Sequence, residues 1–393
     1  MITLQVSLHH QMPSALFQLD FQGDTLPLKW NKALAANSSA YSNQSPGPFR
    51  KMKPQPTTTK ELDDSLSEPT ERVLNVLGEP RGTFAVLGAG GKMGFHLSRM
   101  IQRGLAATGY KEPIITVSRF GSKKTLAQFE STGFQVHRAD MSDAQQVAQL
   151  PDADNVFFLA GIKFGTSGNT TLLKQMNEQM PRIVAERYRN SRIVALSTGC
   201  VYEFITPDSG GSTEQSATNP PGDYAKSCLG REQAFVTNSL EHGTPTSLIR
   251  LNYSNECRYG VLVDIASKVL AGDSVSLDTG YVNVIWQRDA VVHVIQSLEH
   301  ASTPPFVINV TGPETLAVRE LAELFGQRFH RKPKFIGQPT ETAWLNNPQL
   351  SHQLFGPPET SLIQMIDSIA NWLIKGGQTL GKPTQFEKRD GDY

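Results

Sequence analysis

The chain has 393 residues, enough for two or three domains and a sizeable core. Lys plus Arg equal Asp plus Glu at 37 each and no long like-charge run occurs, which argues against nucleic acid or an anionic membrane as partner. Three scattered cysteines, Cys200, Cys228 and Cys257, suggest neither a disulfide framework nor a zinc site, and no apolar run approaches the roughly 20 residues that span a bilayer, so the expectation is a soluble cytoplasmic protein.

Residues 1–66 read as a disordered arm, because residues 35–59 are rich in Ser, Asn, Gln, Pro and Lys and hold few apolar side chains to offset ordering entropy. The first 28 residues contain no Lys or Arg, so the charged start of a signal peptide is missing. Ser67-Glu68-Pro69-Thr70-Glu71 reads as a helix start with Ser67 as the cap. Thr83 to Leu87 then forms an apolar strand that runs into Gly88, Gly91 and Gly94, followed by a helix from Lys92 to about Ala107. Strand patterns recur at Ile114–Ser118, Phe134–Arg138, Val156–Ala160, Ile193–Ser197 and Thr246–Leu251, with helical segments between them. Beyond 250 the pattern mixes: helix at Val261–Ala271, strand at Tyr281–Trp286, helix at Asp289–His300, strand at Phe306–Val310 and helix at Leu316–Phe329. This alternation predicts an α/β fold: a Rossmann-type doubly wound parallel sheet over 67–250, with a smaller mixed α/β substrate lobe over 251–393 partly interleaved with it.

The glycine spacing G-x-x-G-x-x-G after a strand points to a dinucleotide. Positions without side chains let the chain turn tightly, admit phosphate to the helix N-terminus and let the helix pack close to the sheet. Gly88, Gly91, Lys92, Met93 and Gly94 are therefore expected at the coenzyme. No G-x-S-x-G elbow supports a serine hydrolase, and the nine histidines show no H-x-x-x-H spacing for a metal.

Several further segments, taken in order, resemble the extended short-chain dehydrogenase/reductase family, the nucleotide-sugar epimerase and dehydratase group, over residues 83–375. The resemblance implies an NAD(P)-dependent epimerase, dehydratase or reductase acting on a sugar, nucleotide sugar or related hydroxy or keto compound. It places Asp140 and Met141 on the adenine side, with a helix-capping role as the other reading of Asp140. It places Ala160, Gly161 and Lys163 beside the nicotinamide ribose, and Asn177 as a brace of the sheet and coenzyme. Leu196-Ser197-Thr198-Gly199-Cys200-Val201-Tyr202 is similar to the family's S-[ST]-x-x-V-Y, which assigns Thr198 to the reacting oxygen. Tyr224 falls at the Tyr of Y-x-x-x-K, but Cys228 stands where the Lys belongs. Lys226, two residues on, points about 200° away on a helix, so Lys163 or Arg231 must supply the missing cation, with Lys163 preferred here. The catalytic set is thus Thr198, Tyr224 and Lys163.

Arg119, at the end of the second strand where NAD-dependent members carry a carboxylate, suits a 2′-phosphate, and NADP is preferred over NAD on that residue. Asn252 and Arg258 follow the sixth strand, where the family begins to touch substrate. The family also pairs through helices corresponding to Leu172–Arg187 and Tyr224–Leu240, which implies a homodimer. The alternative to an enzyme is a coenzyme-binding sensor or scaffold in which Cys228 marks lost catalysis.

Overall fold

The computed structural model of the protein describes residues 55–78, 82–166 and 168–390; most of the expected arm, residues 1–54, lies outside the described residues. The end of that arm is corrected. Thr59–Leu66 is a helix, α1, closed by a capping box in which the Thr58 hydroxyl accepts from the Glu61 N–H and the Glu61 carboxylate accepts from the Thr58 N–H. Leu62 and Leu66, four residues apart, share one helix face and are fully buried. Two leucines hardly alter a composition average, yet at helical spacing they pin a short helix. Helix α2, Glu71–Leu77, is capped by Thr70 and not by the expected Ser67, whose hydroxyl donates back to the Asp63 carbonyl to finish α1.

Strands β1 (Phe84–Leu87), β2 (Ile115–Ser118), β3 (Gln135–Arg138), β4 (Asn155–Phe158), β5 (Arg192–Thr198) and β6 (Thr246–Leu251) belong to one sheet. Four short strands follow, β7 (Ser254–Asn255), β8 (Ser274–Ser276), β9 (Tyr281–Val282) and β10 (Ile285–Trp286), before β11 (Phe306–Val310) returns to that sheet. The order is β11-β6-β5-β4-β1-β2-β3 and every pairing is parallel. The sense of winding reverses between β1 and β4, and there a crevice opens beyond the carboxyl ends of the strands.

Helices α3 (Gly94–Ala106), α4 (Lys123–Ser131), α5 (Ala144–Ala148), α6 (Thr170–Lys174), α7 (Met180–Arg187) and α8 (Asp223–His242) fill the crossovers. The β1 side chains show why its sequence reads as continuously apolar: Phe84 and Val86 pack with α2 and α3 on one face, and Ala85 and Leu87 with α5, α7 and α8 on the other. Helices α9 (Val261–Ala271), α10 (Gln287–Gln296), α11 (Val318–Phe329), α12 (Gln349–Phe355) and α13 (Leu362–Ile374) complete the chain. Of these, α9, α11 and α13 build a further core that also takes Leu62 and Leu66 of α1.

Two expected elements differ in detail. The strand expected over 281–286 is split, because the buried Asn283 between its halves spends its amide on the Glu314 carbonyl and the Asn346 N–H. The helix expected from Leu316 starts at Val318, since Leu316 and Ala317 pair antiparallel with β9.

Candidate functional site

A cleft of about 660 Å³ opens at the carboxyl ends of β1, β4 and β5 and reaches across to the segment following β6. One end is the glycine turn. Gly88 has φ +86, a conformation that suits glycine, and its N–H donates to the Val117 carbonyl at 2.8 Å. Helix α3 begins at Gly94 with no side-chain cap, so its first N–H groups are left for another acceptor. The helix comes so near the turn that a Cβ on Gly94 would lie 2.2 Å from the Ala89 carbonyl oxygen. Gly94→Ala should therefore force the backbone apart and destabilise the fold by about 1–3 kcal/mol, the usual cost of overpacking. Thermal melting of the two proteins checks this, and an unchanged midpoint would mean the turn has room that the geometry denies.

The other end of the cleft is built on β5 and the first turns of α8. Thr198 closes β5, and its hydroxyl accepts from the Cys200 N–H at 3.2 Å, so the turn-closing role and exposure to the cleft coexist. Tyr224, Cys228 and Arg231 follow one another at helical spacing, four and then three residues apart, on a single face of α8. The Tyr224 phenol is pushed well above its ordinary pKa, first by burial and then by the Cys228 and Cys200 thiols, while the Arg231 guanidinium pulls it down. Burial likewise raises the Cys228 thiol, which stays neutral.

Arg231 is 7% exposed. Its Nη1 donates to the Leu196 carbonyl at 3.1 Å and its Nη2 to Asn177 Oδ1 at 2.8 Å, while its buried Nε has no partner among the described residues. A Cβ at Gly161 would fall 2.1 Å from Nη2, so the glycine there makes room for the guanidinium. Asn177 sits in a π-helical segment, residues 175–179, between α6 and α7, and ties the loop after β4 to α8: its side chain bonds the Ile162 N–H and carbonyl, the Ser227 hydroxyl and Arg231. Lys163 lies 5.7 Å from the centroid of the Tyr224 ring and donates to the Thr384 carbonyl at 3.2 Å; burial lowers its pKa.

Behind Thr198 runs a buried network. Arg250 donates through Nε and Nη2 to the Glu232 carboxylate at 3.0 and 2.7 Å and through Nη1 to the Tyr202 hydroxyl, which donates to Asn309; Ser197 donates to Glu232 at 2.6 Å. These bonds fix the end of β5 against α8 and β6.

A second polar cluster joins α1 to the cleft. Asp63 accepts from Arg258 at 2.9 Å and lies 2.9 Å from His96 Nε2, while His96 Nδ1 meets the Gln287 amide at 2.6 Å. Burial pushes the Asp63 carboxyl up, but the His96 hydrogen bond and Arg258 outweigh it and hold the pKa below its ordinary value. Arg258 also pairs with Glu256 at 3.1 Å, so its charge is already met by two carboxylates. Lys268 is similarly tied to Glu387.

Of the residues expected from sequence, Gly88, Gly91, Lys92, Met93, Gly94, Gly161, Lys163, Thr198, Tyr224 and Arg258 line this cleft. Arg119, Asp140, Met141, Ala160, Asn177 and Asn252 are not on its wall. Met141 is buried in the core beside β2. Asp140 is not a helix cap; it accepts from the Ser142 N–H and hydroxyl, and Asp143 caps α5 instead. Asn252 is 2% exposed and donates to the Trp344 carbonyl, a brace within the fold. Sequence reasoning missed Asp63, His96, Glu256, Tyr259, Gln287, Lys382 and Thr384 on the cleft wall. His96 carried a local signal, two residues after Gly94 on α3, and Glu256 and Tyr259 flank Arg258; Asp63, Gln287, Lys382 and Thr384 come from distant segments.

Residues 84–256 match the model of the NAD dependent epimerase/dehydratase family. No curated protein matches the chain significantly in sequence. Among solved structures, the chain is similar to UDP-glucuronic acid 4-epimerase from Bacillus cereus in complex with NAD, at 18% identity and TM-score 0.63, covering 75% of this chain and 100% of that one. It is also similar to the Thermus thermophilus UDP-glucose 4-epimerase complex with NAD, at 17% identity, TM-score 0.61 and coverage of 74% and 98%. A third is DesIV, a dTDP-glucose 4,6-dehydratase from Streptomyces venezuelae with NAD and TYD bound, at 17% identity, TM-score 0.64 and coverage of 75% and 97%. At such identities the likeness is one of fold, a Rossmann-type α/β architecture. With the family match covering β1 to β7, residues 84–256 of this chain form a domain of the NAD dependent epimerase/dehydratase family.

Proposed function

We propose that the protein is an NAD-dependent oxidoreductase of the epimerase/dehydratase type, acting on a hydroxyl or keto group of a sugar, nucleotide sugar or related compound. One observation carries this reading: a single cleft holds the glycine turn at one end and Thr198, Tyr224 and Arg231 at the other. The residues present fit the coenzyme. At Gly88 and Gly94 a Cβ would strike the backbone of Ala160 and Ala89, so glycine keeps the turn tight and the uncapped start of α3 open, and the buried unpartnered Nε of Arg231 lies on the wall of the same cleft.

When bound, the coenzyme supplies the hydride acceptor and donor. Tyr224 Oη takes the proton of the substrate hydroxyl, and the Thr198 hydroxyl donates a hydrogen bond to the same oxygen as negative charge develops there. A phenol is a poor base at neutral pH, and burial makes Tyr224 a worse one. Arg231 is the cation that offsets this, because its field lowers the phenol and it shares a helix face with Tyr224. Lys163, the cation preferred from sequence, stands over the ring face and is engaged by the Thr384 carbonyl, so its part in this reading is beside the coenzyme and at the cleft wall.

NAD, and not the NADP preferred from Arg119, is the coenzyme of this reading, supported by the NAD bound in solved structures similar to this chain. Arg119 lies 3.8 Å from Asp140, whose carboxyl the Ser142 hydrogen bonds hold below the usual range, and neither residue is on the cleft wall, so the support Arg119 gave to NADP is weakened. Calorimetric titration should give tighter binding of NAD than of NADP. Affinity for neither coenzyme would overturn the proposal, and tighter NADP binding would overturn the choice. A second reading, a coenzyme-binding sensor, is favoured by one fact: the family's Lys is replaced by the buried, neutral Cys228. Binding of NAD without any turnover on a panel of sugars and nucleotide sugars would select it.

A further inference from the structure

Three lysines from distant parts of the chain line the same cleft. Lys92 comes from the glycine turn, Lys163 from the loop after β4, and Lys382 from the segment that follows α13. Lys92 Nζ lies 3.2 Å from the centroid of the Tyr259 ring and 4.8 Å from that of Phe164, and Lys163 Nζ lies 5.3 Å from the same Phe164 ring. The two ammonium groups therefore flank one aromatic side chain. Among the described residues Lys92 makes no ion pair. Its pKa is brought down to about 7, first by burial and then by Lys163 and Lys382, with Asp264 of α9 opposing. Asp264 is one carboxylate against three lysines; the Thr384 N–H at 2.7 Å and hydroxyl at 2.6 Å favour its ionised form, while burial outweighs them and raises its pKa, so it offsets only part of the positive charge.

The position of Lys382 is set by firm anchors on both sides. Leu380 donates its N–H to the Arg258 carbonyl, Thr384 is held by Asp264, and the 2% exposed Phe386 accepts at its carbonyl from the Thr279 hydroxyl. The segment is laid along the cleft wall and is not a loose end. Like charges gathered in a partly dry cleft repel one another, and the repulsion strengthens as the local dielectric falls. A ligand with two or more negative charges would relieve it, and each ammonium would then make a charge-assisted hydrogen bond.

We propose that Lys92, Lys163 and Lys382 form a phosphate subsite, with the C-terminal segment supplying its third cation. The shared chemistry is a phosphate or diphosphate, and it has two sources: the diphosphate of the coenzyme or a phosphate group on the substrate. Lys92 is turned from the glycine turn onto Tyr259, which follows β7, and Lys382 is carried by residues bound to α9, so the subsite lies toward the part of the cleft left for substrate. The proposal rests on the coenzyme cleft described above and adds Lys382 to Lys92 and Lys163, which that reading already places beside the coenzyme.

The probe is inorganic diphosphate, titrated by calorimetry into the full chain with and without saturating NAD. One diphosphate should bind per chain, and Lys382→Gln and Lys92→Gln should each weaken it about tenfold, as expected for one charge-assisted contact. Lys382 is exposed, so its replacement leaves folding intact. Binding that persists beside NAD assigns the subsite to substrate, and mutual exclusion with NAD assigns it to the coenzyme. No binding of diphosphate in either condition, or binding that both variants leave unchanged, overturns the proposal. Failure of the coenzyme reading would show separately, as absence of NAD binding.

Discussion

Tyr224→Phe is expected to lower NAD-linked turnover by about 10²–10⁴-fold, the range for loss of a positioned general acid–base, while NAD affinity falls far less. The variant keeps the ring and its packing and removes only the oxygen that exchanges the proton. Steady-state rates on whichever sugar or nucleotide sugar gives a nicotinamide absorbance change provide the test, and retained turnover would eliminate Tyr224 from the mechanism. The pH profile then identifies the assisting cation. Arg231 lowers the phenol, so Arg231→Met should raise the Tyr224 pKa and move the rising alkaline limb to higher pH. Lys163→Met should not, if Arg231 holds the role. A limb that moves with Lys163 and not with Arg231 would return the assignment to the lysine.

Glu232→Ala should destabilise the protein by about 3–5 kcal/mol, the penalty typical of removing one partner from a buried ion pair. The side chains of Glu232 and Arg250 are 5% and 8% exposed, and the carboxylate takes two bonds from Arg250 and one from Ser197. Without it, the buried guanidinium keeps, among the described residues, the Tyr202 hydroxyl as its side-chain hydrogen-bond partner. Denaturant unfolding measures the loss. Replacing Glu232 and Arg250 together with Met should cost much less than Glu232→Ala alone, because no uncompensated charge remains. If the single and double replacements were equally damaging, packing and not charge would account for the site. Because Ser197 and Thr198 are neighbours on β5, Glu232→Ala should also loosen the strand end that presents the Thr198 hydroxyl.

The glycine turn, the central strands and α9 were legible because each is written in adjacent residues: an apolar run, a fixed glycine interval, a helical period. The turn at Gly88, Gly91 and Gly94 and the strand at Phe306–Val310 lie where those patterns put them. Reading failed where a local signal competed with a distant partner. Leu316 and Ala317 look helical but are drawn into pairing with β9, and Arg258, expected from sequence at the substrate, has its charge taken by Asp63 and Glu256. Ser67 looks like a cap for α2 and closes α1 instead.

The sequence by itself determined that this chain builds a parallel sheet with a glycine turn after its first strand, and that Tyr224 opens a helix with Cys228 four residues on. Those are properties of spacing, and spacing survives without knowing the fold. Tertiary structure alone decided that Arg231 and Lys163 line the same cleft as Tyr224, that Asp63 from an apparently featureless arm braces His96 and Arg258, and that Lys382, 290 residues after Lys92, shares that cleft. Charges act through distance in space, and in a chain folded around a seven-stranded sheet that distance bears little relation to distance along the sequence.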